Sequence, residues 1–477
     1  MAFSSITFLF YFLPLFLALY YVLPWRNVVI LLASLVFYAW GEPRYVPLLL
    51  AYILINWVFG LLVARPGLWA GRFLTVGVAS NIGLLLWFKY LTFLLTQIAA
   101  LGIPTLPVAD IALPLGISFF TFQGISYLID IHRGIIAPQR SLLKFAMYKA
   151  MFPQLIAGPI VRYAQVARQI DVRPISAWRV RTGMLMLLFG LAQKVLIADS
   201  VARTADTVFA LPPSELTAAT AWAGALCYTI QIFFDFGGYS NMAIGLGHMM
   251  GFSFPVNFNR PYAAQSVTEF WRRWHITLSD WFRDYLYIPL GGNRRGSSRT
   301  YLNLAVVFLL CGLWHGAAWT FAAWGAWQGT FLALERAGLT TILARIWRPL
   351  RHLYLLLAVV FGWVLFRADG LAHAGAFMAA MVGFAAGDPA ATPLCSILPA
   401  SGATALLAGA IICAIPWPTE RALRYRIRRW AAAVPISHAV TDHLTSMTVV
   451  TAALALGGIS TLSLANGTYS PFIYFRF

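Results

Sequence analysis

The sequence predicts an all-α, polytopic transmembrane helix bundle, and three observations lead there. Of 477 residues, 60% are hydrophobic and 10% are charged, whereas a soluble domain is about half apolar and about a quarter charged. Charges are too few to coat a water-facing surface. The apolar residues come in runs of about 20, the length that crosses a hydrocarbon core about 30 Å thick. The 34 Lys and Arg residues, against 16 Asp and Glu for a net charge of +18, lie between those runs, as they do in cytoplasmic loops of inserted proteins. A nucleic-acid binder would instead gather them along one soluble face. A soluble enzyme, a disordered chain and a secreted disulfide scaffold are excluded. Cys227, Cys311, Cys395 and Cys413 are far apart and lack Cys-x-x-Cys spacing, so they read as packed thiols, with neither a metal site nor a redox pair indicated.

In chain order, candidate spans lie near 3–23, 28–40, 45–63, 73–98, 111–130, 182–199, 217–235, 300–317, 319–334, 352–366, 401–417 and 447–465. The number expected is about eleven, within a range of ten to thirteen, in one membrane-embedded domain over 1–477 whose core motifs occupy 112–335. The first run, Phe3 to Leu23, has no basic n-region and no small-residue cleavage site before Pro24, and is expected to be a retained span. The runs 28–40 and 142–160 are short enough to be broken or re-entrant, which a bilayer tolerates where protein or water shields the backbone.

With the N-terminus outside, the basic loops Arg65 and Arg72, His132 to Lys149, Arg162 to Arg181, Arg260 to Arg299, Arg336 to Arg351 and Arg421 to Arg429 all fall inside. The loop 367–400, in which Arg367 is balanced by Asp369 and Asp388, falls outside with the C-terminal stretch from Asn466. One assignment then satisfies the positive-inside rule at every loop. No repeat links the two halves, which disfavours inverted-repeat transporter plans.

The segment 266–288 is different in kind. Ser266-Val-Thr-Glu269 has capping-box spacing, and Trp274, Leu278, Trp281, Tyr285 and Ile288 recur at intervals of four and three. Glu269, Arg272, Arg273, Asp280, Arg283 and Asp284 take the other side, and Pro289 with Gly291-Gly292 ends the pattern. Such a helix is expected to lie in the cytoplasmic interface.

Ionisable groups inside a span raise a functional hypothesis by default. His315, in Cys311-Gly-Leu-Trp-His315-Gly, stands roughly 22 Å above Thr300 at about 1.5 Å per helical residue. Gly312-x-x-x-Gly316 and Gly325-x-x-x-Gly329 are close-packing signatures, so this histidine is expected in a tight interior hairpin. A neutral imidazole hydrogen-bonded across helices would give the same pattern. His275, beside Arg272 and Arg273, is expected at the cytoplasmic surface in a cationic patch suited to a phosphorylated molecule; contact with lipid headgroups would serve those arginines equally. Asp235, followed by Gly237-Gly238, is expected at a span end, either lining a cavity or capping the next helix. Gly291-Gly-Asn-Arg-Arg-Gly296 either cradles phosphate or simply links helices. No His-Glu-x-x-His, Walker loop or Gly-x-Ser-x-Gly is present.

Several stretches together resemble the membrane-bound O-acyltransferases, in particular their bacterial alginate O-acetylation branch. They are Leu113-Pro-Leu-Gly-Ile-Ser-Phe119, Phe152 to Arg162, Asp235 to Gly245, Pro255-Val-Asn-Phe-Asn-Arg-Pro-Tyr262, Phe270-Trp-Arg-Arg-Trp-His275 on to Gly292, Trp314-His315-Gly, and the ending Ser470-Pro-Phe-Ile-Tyr-Phe. The resemblance extends over nearly the whole chain, although 367–445 carries no signature.

The resemblance implies a multi-span bundle around a central funnel or tunnel, entered by an acyl-CoA from the cytoplasm. The family's near-invariant histidine matches His315, and the second histidine of this branch matches His275. The expected reaction moves acetyl from acetyl-CoA to a hydroxyl with His315 as general base; burial favours the neutral form a base requires. Direct transfer and an acyl-histidine intermediate both remain open. Trp314 is expected to shape the chamber, and Arg272 and Arg273 to meet the coenzyme phosphates. No bound cofactor or metal is expected, since a thioester is already activated. The branch implies a bacterial inner-membrane protein that hands acetyl to a periplasmic acetyltransferase partner for O-acetylation of an exported polysaccharide such as alginate, with membrane lipid around it and no nucleic acid. Alternatives are another acyl donor, such as a D-alanyl carrier protein or a fatty acyl-CoA, and a transporter in which His315 relays protons.

Overall fold

The computed structural model describes residues 1–103, 111–384, 387–388, 393–414, 438–467 and 472. Every regular element among them is helical. The longer helices are α1 (Thr7–Val22), α2 (Arg26–Gly41), α3 (Pro43–Val63), α4 (Trp69–Ala100), α5 (Ile117–His132), α6 (Leu142–Ala150), α7 (Ala177–Phe209) and α8 (Ala218–Met249). The short α9 (Val267–Trp271) and α10 (Ile276–Phe282) follow, then α11 (Ser297–His315), α12 (Trp319–Leu334), α13 (Arg348–Arg367), α14 (Leu371–Met381), α15 (Ala400–Ala414) and α16 (His438–Ala465). Among the described residues, six helical stretches are long and apolar enough to cross a membrane: α3, α4, α7, α11, α13 and Thr445–Ala465 of α16. Four shorter apolar helices, α1, α2, α14 and α15, accompany them. This is a multi-pass helical membrane protein. Each expected run coincides with a helix, because a backbone in hydrocarbon must satisfy its own hydrogen bonds. Residues 415–417, the basic stretch Arg421 to Arg429 and the ending from Ser470, apart from Phe472, lie outside the described residues.

At the centre, α7 and α8 touch backbone to backbone. A Cβ added to Gly190 would lie 2.5 Å from the Gly238 carbonyl oxygen, and one on Gly183 would strike the Gly245 carbonyl. Glycine at these four positions removes the side chains that would hold the helices apart, so van der Waals packing does what hydrophobicity cannot do in lipid. The expectation that α8 ends near Asp235 fails here. Gly237 and Gly238 continue the helix, and Asp235 is buried inside it rather than capping a neighbour. Its carboxylate lies 3.1 Å from Lys194 Nζ, which also meets Asp199 at 2.5 Å. Pairing within the bundle is what makes those charges tolerable there.

The run 142–160 is broken. Helix α6 stops at Met151, and Phe152 to Val161 are all buried, with the Ile160 N–H donating to Thr277 Oγ1 at 2.9 Å. The segment 367–400 is more than the expected loop, since it contains α14, whose Phe377 stacks on Phe209 at 4.3 Å.

The largest correction concerns 266–288. It is not one amphipathic helix on the membrane surface. The Ser266 hydroxyl does cap α9, accepting from the Glu269 N–H at 3.1 Å, but α9 ends at Trp271 and the chain turns through His275 before α10 begins. Trp274, Leu278, Trp281 and Tyr285, the expected lipid-facing stripe, are buried in protein, while Ile288 is exposed. Trp274 lies against Phe270 at 5.5 Å and Trp363 at 4.9 Å. The carboxylate of Glu335, just past α12, accepts from the N–H groups of Val267 (2.6 Å) and Thr268 (2.8 Å) and from the Tyr354 hydroxyl. It therefore satisfies the first donors of α9 and pins the broken segment to the α11–α12 hairpin.

Candidate active site

His315 is the last residue of α11. The chain leaves it through Gly316 in an extended conformation and re-enters α12 at Trp319. The hairpin is as tight as its glycines require: a Cβ on Gly312 would strike the Phe321 carbonyl, and one on Gly325 the Phe308 carbonyl. The histidine is buried, with ring centroids of Trp314, Trp324 and Phe366 at 4.9, 5.1 and 5.1 Å. The helix ends here, so no further turn donates N–H groups to its last carbonyls. The π-helical turn Leu86–Tyr90 within α4 answers them. Lys89 Nζ donates to the carbonyls of Trp314 (2.5 Å) and His315 (3.0 Å), and the Tyr90 hydroxyl donates to Leu313 (2.7 Å).

His275 is not at the surface as expected; its exposure is 0%. Its ring packs edge-on to Phe236 of α8 at 4.8 Å and lies 6.3 Å from Trp314. His275 Nδ1 is 3.0 Å from Asn257 Oδ1, and the Thr277 hydroxyl donates to the same oxygen at 2.8 Å. Asn257 Nδ2 donates to Ser240 Oγ at 3.0 Å. His275 Nε2 is buried with no hydrogen-bond partner among the described residues. Trp314 thus lies against both histidines. Its indole also stacks on Phe122 at 5.1 Å, and its Nε1–H is buried without an acceptor among the described residues.

A cleft of about 180 Å³ lies beside α11, and its lining includes Arg283, Tyr287, Trp271, Phe308 and Cys311. Cys311 is one helical turn before His315 on α11. Arg283 is more than half exposed, whereas Cys311 is buried. Arg272 is exposed and Arg273 is tied to Glu269 at 2.6 Å, so the two arginines adjacent in sequence to His275 point away from its ring.

The separated motifs converge here. Phe119 packs against Trp314 at 5.6 Å. Arg162 pairs with Asp284 at 2.8 Å, linking the 152–162 stretch to 270–292. Burial opposes ionisation of Asp284, but the guanidiniums of Arg283 and Arg162 outweigh it and hold the carboxyl below its ordinary range. Asn303 of α11 donates to the Gly292 carbonyl at 3.1 Å, so the Gly-rich turn links helices. Three residues that shape the site stand apart from the sequence reading: Asn257, Glu335 and Lys89. Asn257 lies in the resembling stretch Pro255 to Tyr262 without a role read from it, Lys89 is a lone lysine in an otherwise apolar run, and Glu335 carries no local signal.

A multi-pass bundle that buries two histidines against one tryptophan, one helical turn from Cys311 in the lining of a cleft, offers groups suited to acyl transfer. The chain belongs to the membrane-bound O-acyltransferase family, whose model matches residues 137–374, and it is an O-acyltransferase. It is 44% identical over 503 aligned residues to the probable alginate O-acetylase of Azotobacter vinelandii, covering 100% of both chains. It is 36% identical over 420 residues to the peptidoglycan O-acetyltransferase of Helicobacter pylori, covering 80% of each. With the teichoic acid D-alanyltransferase of Bacillus subtilis it shares 28% identity over 237 residues, 46% of this chain and 58% of that one.

Proposed function

We propose that this protein is a bacterial inner-membrane O-acetyltransferase that takes acetyl from cytoplasmic acetyl-CoA and delivers it for O-acetylation of an exported, alginate-like polysaccharide. The observation that carries the reading is the burial of His275 and His315 against Trp314, with His315 one helical turn along α11 from Cys311 in the cleft lining. Full-length identity to an alginate acetylase supports acetyl over D-alanyl, since the D-alanyltransferase aligns over less than half of the chain.

In this reading the pantetheine arm of coenzyme A enters the cleft, and the phosphates meet guanidiniums at the cytoplasmic rim, with Arg272, Arg273 and Arg283 in reach of water. The acetyl carbonyl arrives beneath Trp314, whose unengaged indole N–H stabilises the oxygen as negative charge develops. His315 takes the proton of the attacking hydroxyl as its oxygen bonds to the carbonyl carbon. The C–S bond then breaks, and the proton passes to the departing thiolate. The acceptor side faces the periplasm, where a partner acetyltransferase receives the group; the positive-inside rule supports that orientation.

The test is release of free coenzyme A from acetyl-CoA by purified protein with its partner present. Wild type is expected to release it, and a folded His315→Ala protein to lose roughly 10²- to 10⁴-fold of that rate. Undiminished release by His315→Ala would remove His315 from the mechanism. Consumption of D-alanyl carrier protein or long-chain acyl-CoA in preference to acetyl-CoA would change the donor.

A further inference from the structure

His275 adopts a left-handed backbone conformation, φ 41°, one of two such non-glycine residues among those described. This conformation costs on the order of 1–3 kcal/mol and persists only where its surroundings over-determine it. Here the non-helical stretch 255–259 does so. The Ile276 N–H donates to the Asn257 carbonyl at 2.9 Å, and the Asn259 N–H donates to the Arg273 carbonyl at 2.8 Å. Asn257 therefore holds this turn through its backbone and holds the imidazole through its side chain.

The side-chain network has one consistent arrangement of protons. Thr277 Oγ1 accepts from the Ile160 N–H and so directs its own hydrogen to Asn257 Oδ1. Asn257 Nδ2 is used on Ser240 of α8. The atom facing His275 Nδ1 is thus an acceptor, and Nδ1 must be the protonated nitrogen of a neutral ring. Nε2 is left with an unshared pair, and it is the buried ring nitrogen with no partner among the described residues.

We propose that Asn257 is a positioning residue: its side-chain carbonyl fixes His275 as the Nδ1–H tautomer, so that the Nε2 lone pair is presented to the chamber. This rests on the acetyltransferase reading for its kinetic consequence, but the tautomer itself does not. The groups around the ring are Phe236 of α8, Phe258 beside Asn257, Trp314 of α11 and Thr277 on its own segment. His315 is the titratable group in electrostatic reach, and Asp235, next to Phe236, pairs with Lys194. No carboxylate bonds to the imidazole among the described residues, so an amide, which carries no charge, sets the tautomer.

Three variants test this. Asn257→Ala is expected to lower kcat for coenzyme A release by roughly 10- to 100-fold with KM for acetyl-CoA within about threefold. Asn257→Asp keeps an acceptor at Nδ1 and is expected to recover most of kcat at high pH. Its carboxylate favours imidazolium, so the acid limb of the rate profile should move up by about one pH unit or more. Thr277→Val, which removes the neighbouring hydrogen bond without touching the imidazole, should leave the limb in place. A wild-type kcat in Asn257→Ala, or an unmoved limb in Asn257→Asp, overturns the proposal while leaving the acetyltransferase reading intact. Should wild type itself be inert to acetyl-CoA, ¹⁵N spectra of histidine-labelled protein read the tautomer directly, with the His275 signal identified by its loss in His275→Gln. A protonated Nδ1 with a bare Nε2, lost in Asn257→Ala, supports the role. A protonated Nε2 refutes it.

Discussion

Replacing Lys89 by Met keeps the length and apolar stem of the side chain and deletes its donors. Lys89 Nζ donates to the carbonyls of Trp314 and His315 and lies 3.4 Å from Ser118 Oγ. These are terminal carbonyls of α11, and Trp314 and His315 are each 4% exposed, so water reaches them poorly once the donor is gone. Leaving a buried acceptor unsatisfied costs about 1–3 kcal/mol, so two carbonyls put the penalty at roughly 2–6 kcal/mol, part of it offset by no longer burying an amine. If even 2 kcal/mol is spent on loosening the last turn of α11, the population with His315 in place falls about 30-fold at 1.36 kcal/mol per decade. Coenzyme A release by Lys89→Met should drop by at least that factor, whereas KM for acetyl-CoA should change little because the cleft is untouched. Lys89→Arg, which retains donors, should recover part of the rate. A Lys89→Met protein with wild-type turnover would refute the claim that this lysine holds the catalytic end of α11.

Trp314→Phe retains an aromatic ring between the histidines but deletes the indole N–H, and kcat should fall on the order of 10²-fold while the protein melts as before; an unchanged kcat would show that the indole donates nothing in the transition state. Arg272→Ala should raise KM for acetyl-CoA and leave the melting temperature unchanged, because its side chain is exposed; titrating the donor decides it. Asp284→Asn removes a carboxyl held below its ordinary range by Arg283 and Arg162. A depressed carboxyl contributes stability above the unfolded value near pH 4 and loses it as pH falls through the folded value. The wild-type advantage over Asp284→Asn in detergent melts should therefore be constant above about pH 4 and shrink below it; a gap that persists to about pH 3 would contradict this.

The helices were legible because a bilayer couples hydropathy to backbone satisfaction, and the hairpin around His315 followed from Gly312 and Gly325. What escaped a sequence reading is tertiary in origin. The four-and-three spacing of Trp274, Leu278, Trp281 and Tyr285 reads as one helix, but the turn at His275 is imposed by Asn257 and Asn259, which precede it by 18 and 16 positions. Asp235 followed by two glycines reads as a helix end, yet in a membrane glycine also serves close approach, and Gly238 is used to meet Gly190. Asn257 belongs to a quoted stretch and Glu335 to none, but the role of each depends on partners in other segments. Lys89 is the reverse case. Its signal is plain in the run 73–98, but its role depends on which carbonyls lie opposite.

The burial of α5 and α8 bears on how the bundle is held together in its membrane. Nearly all of α5, from Ile117 to Ile131, and most of α8 are enclosed by other helices, and neither is among the stretches long and apolar enough to cross by themselves. Helices with Gln123, Asp130, Gln231 or Asp235 on their inner surfaces gain little from lipid and much from neighbours. The helices that frame the reaction chamber therefore depend on neighbours such as α3, α4 and α7 for a favourable place in the membrane. A mutation in those neighbours, far from either histidine, is expected to undermine the chamber's own walls.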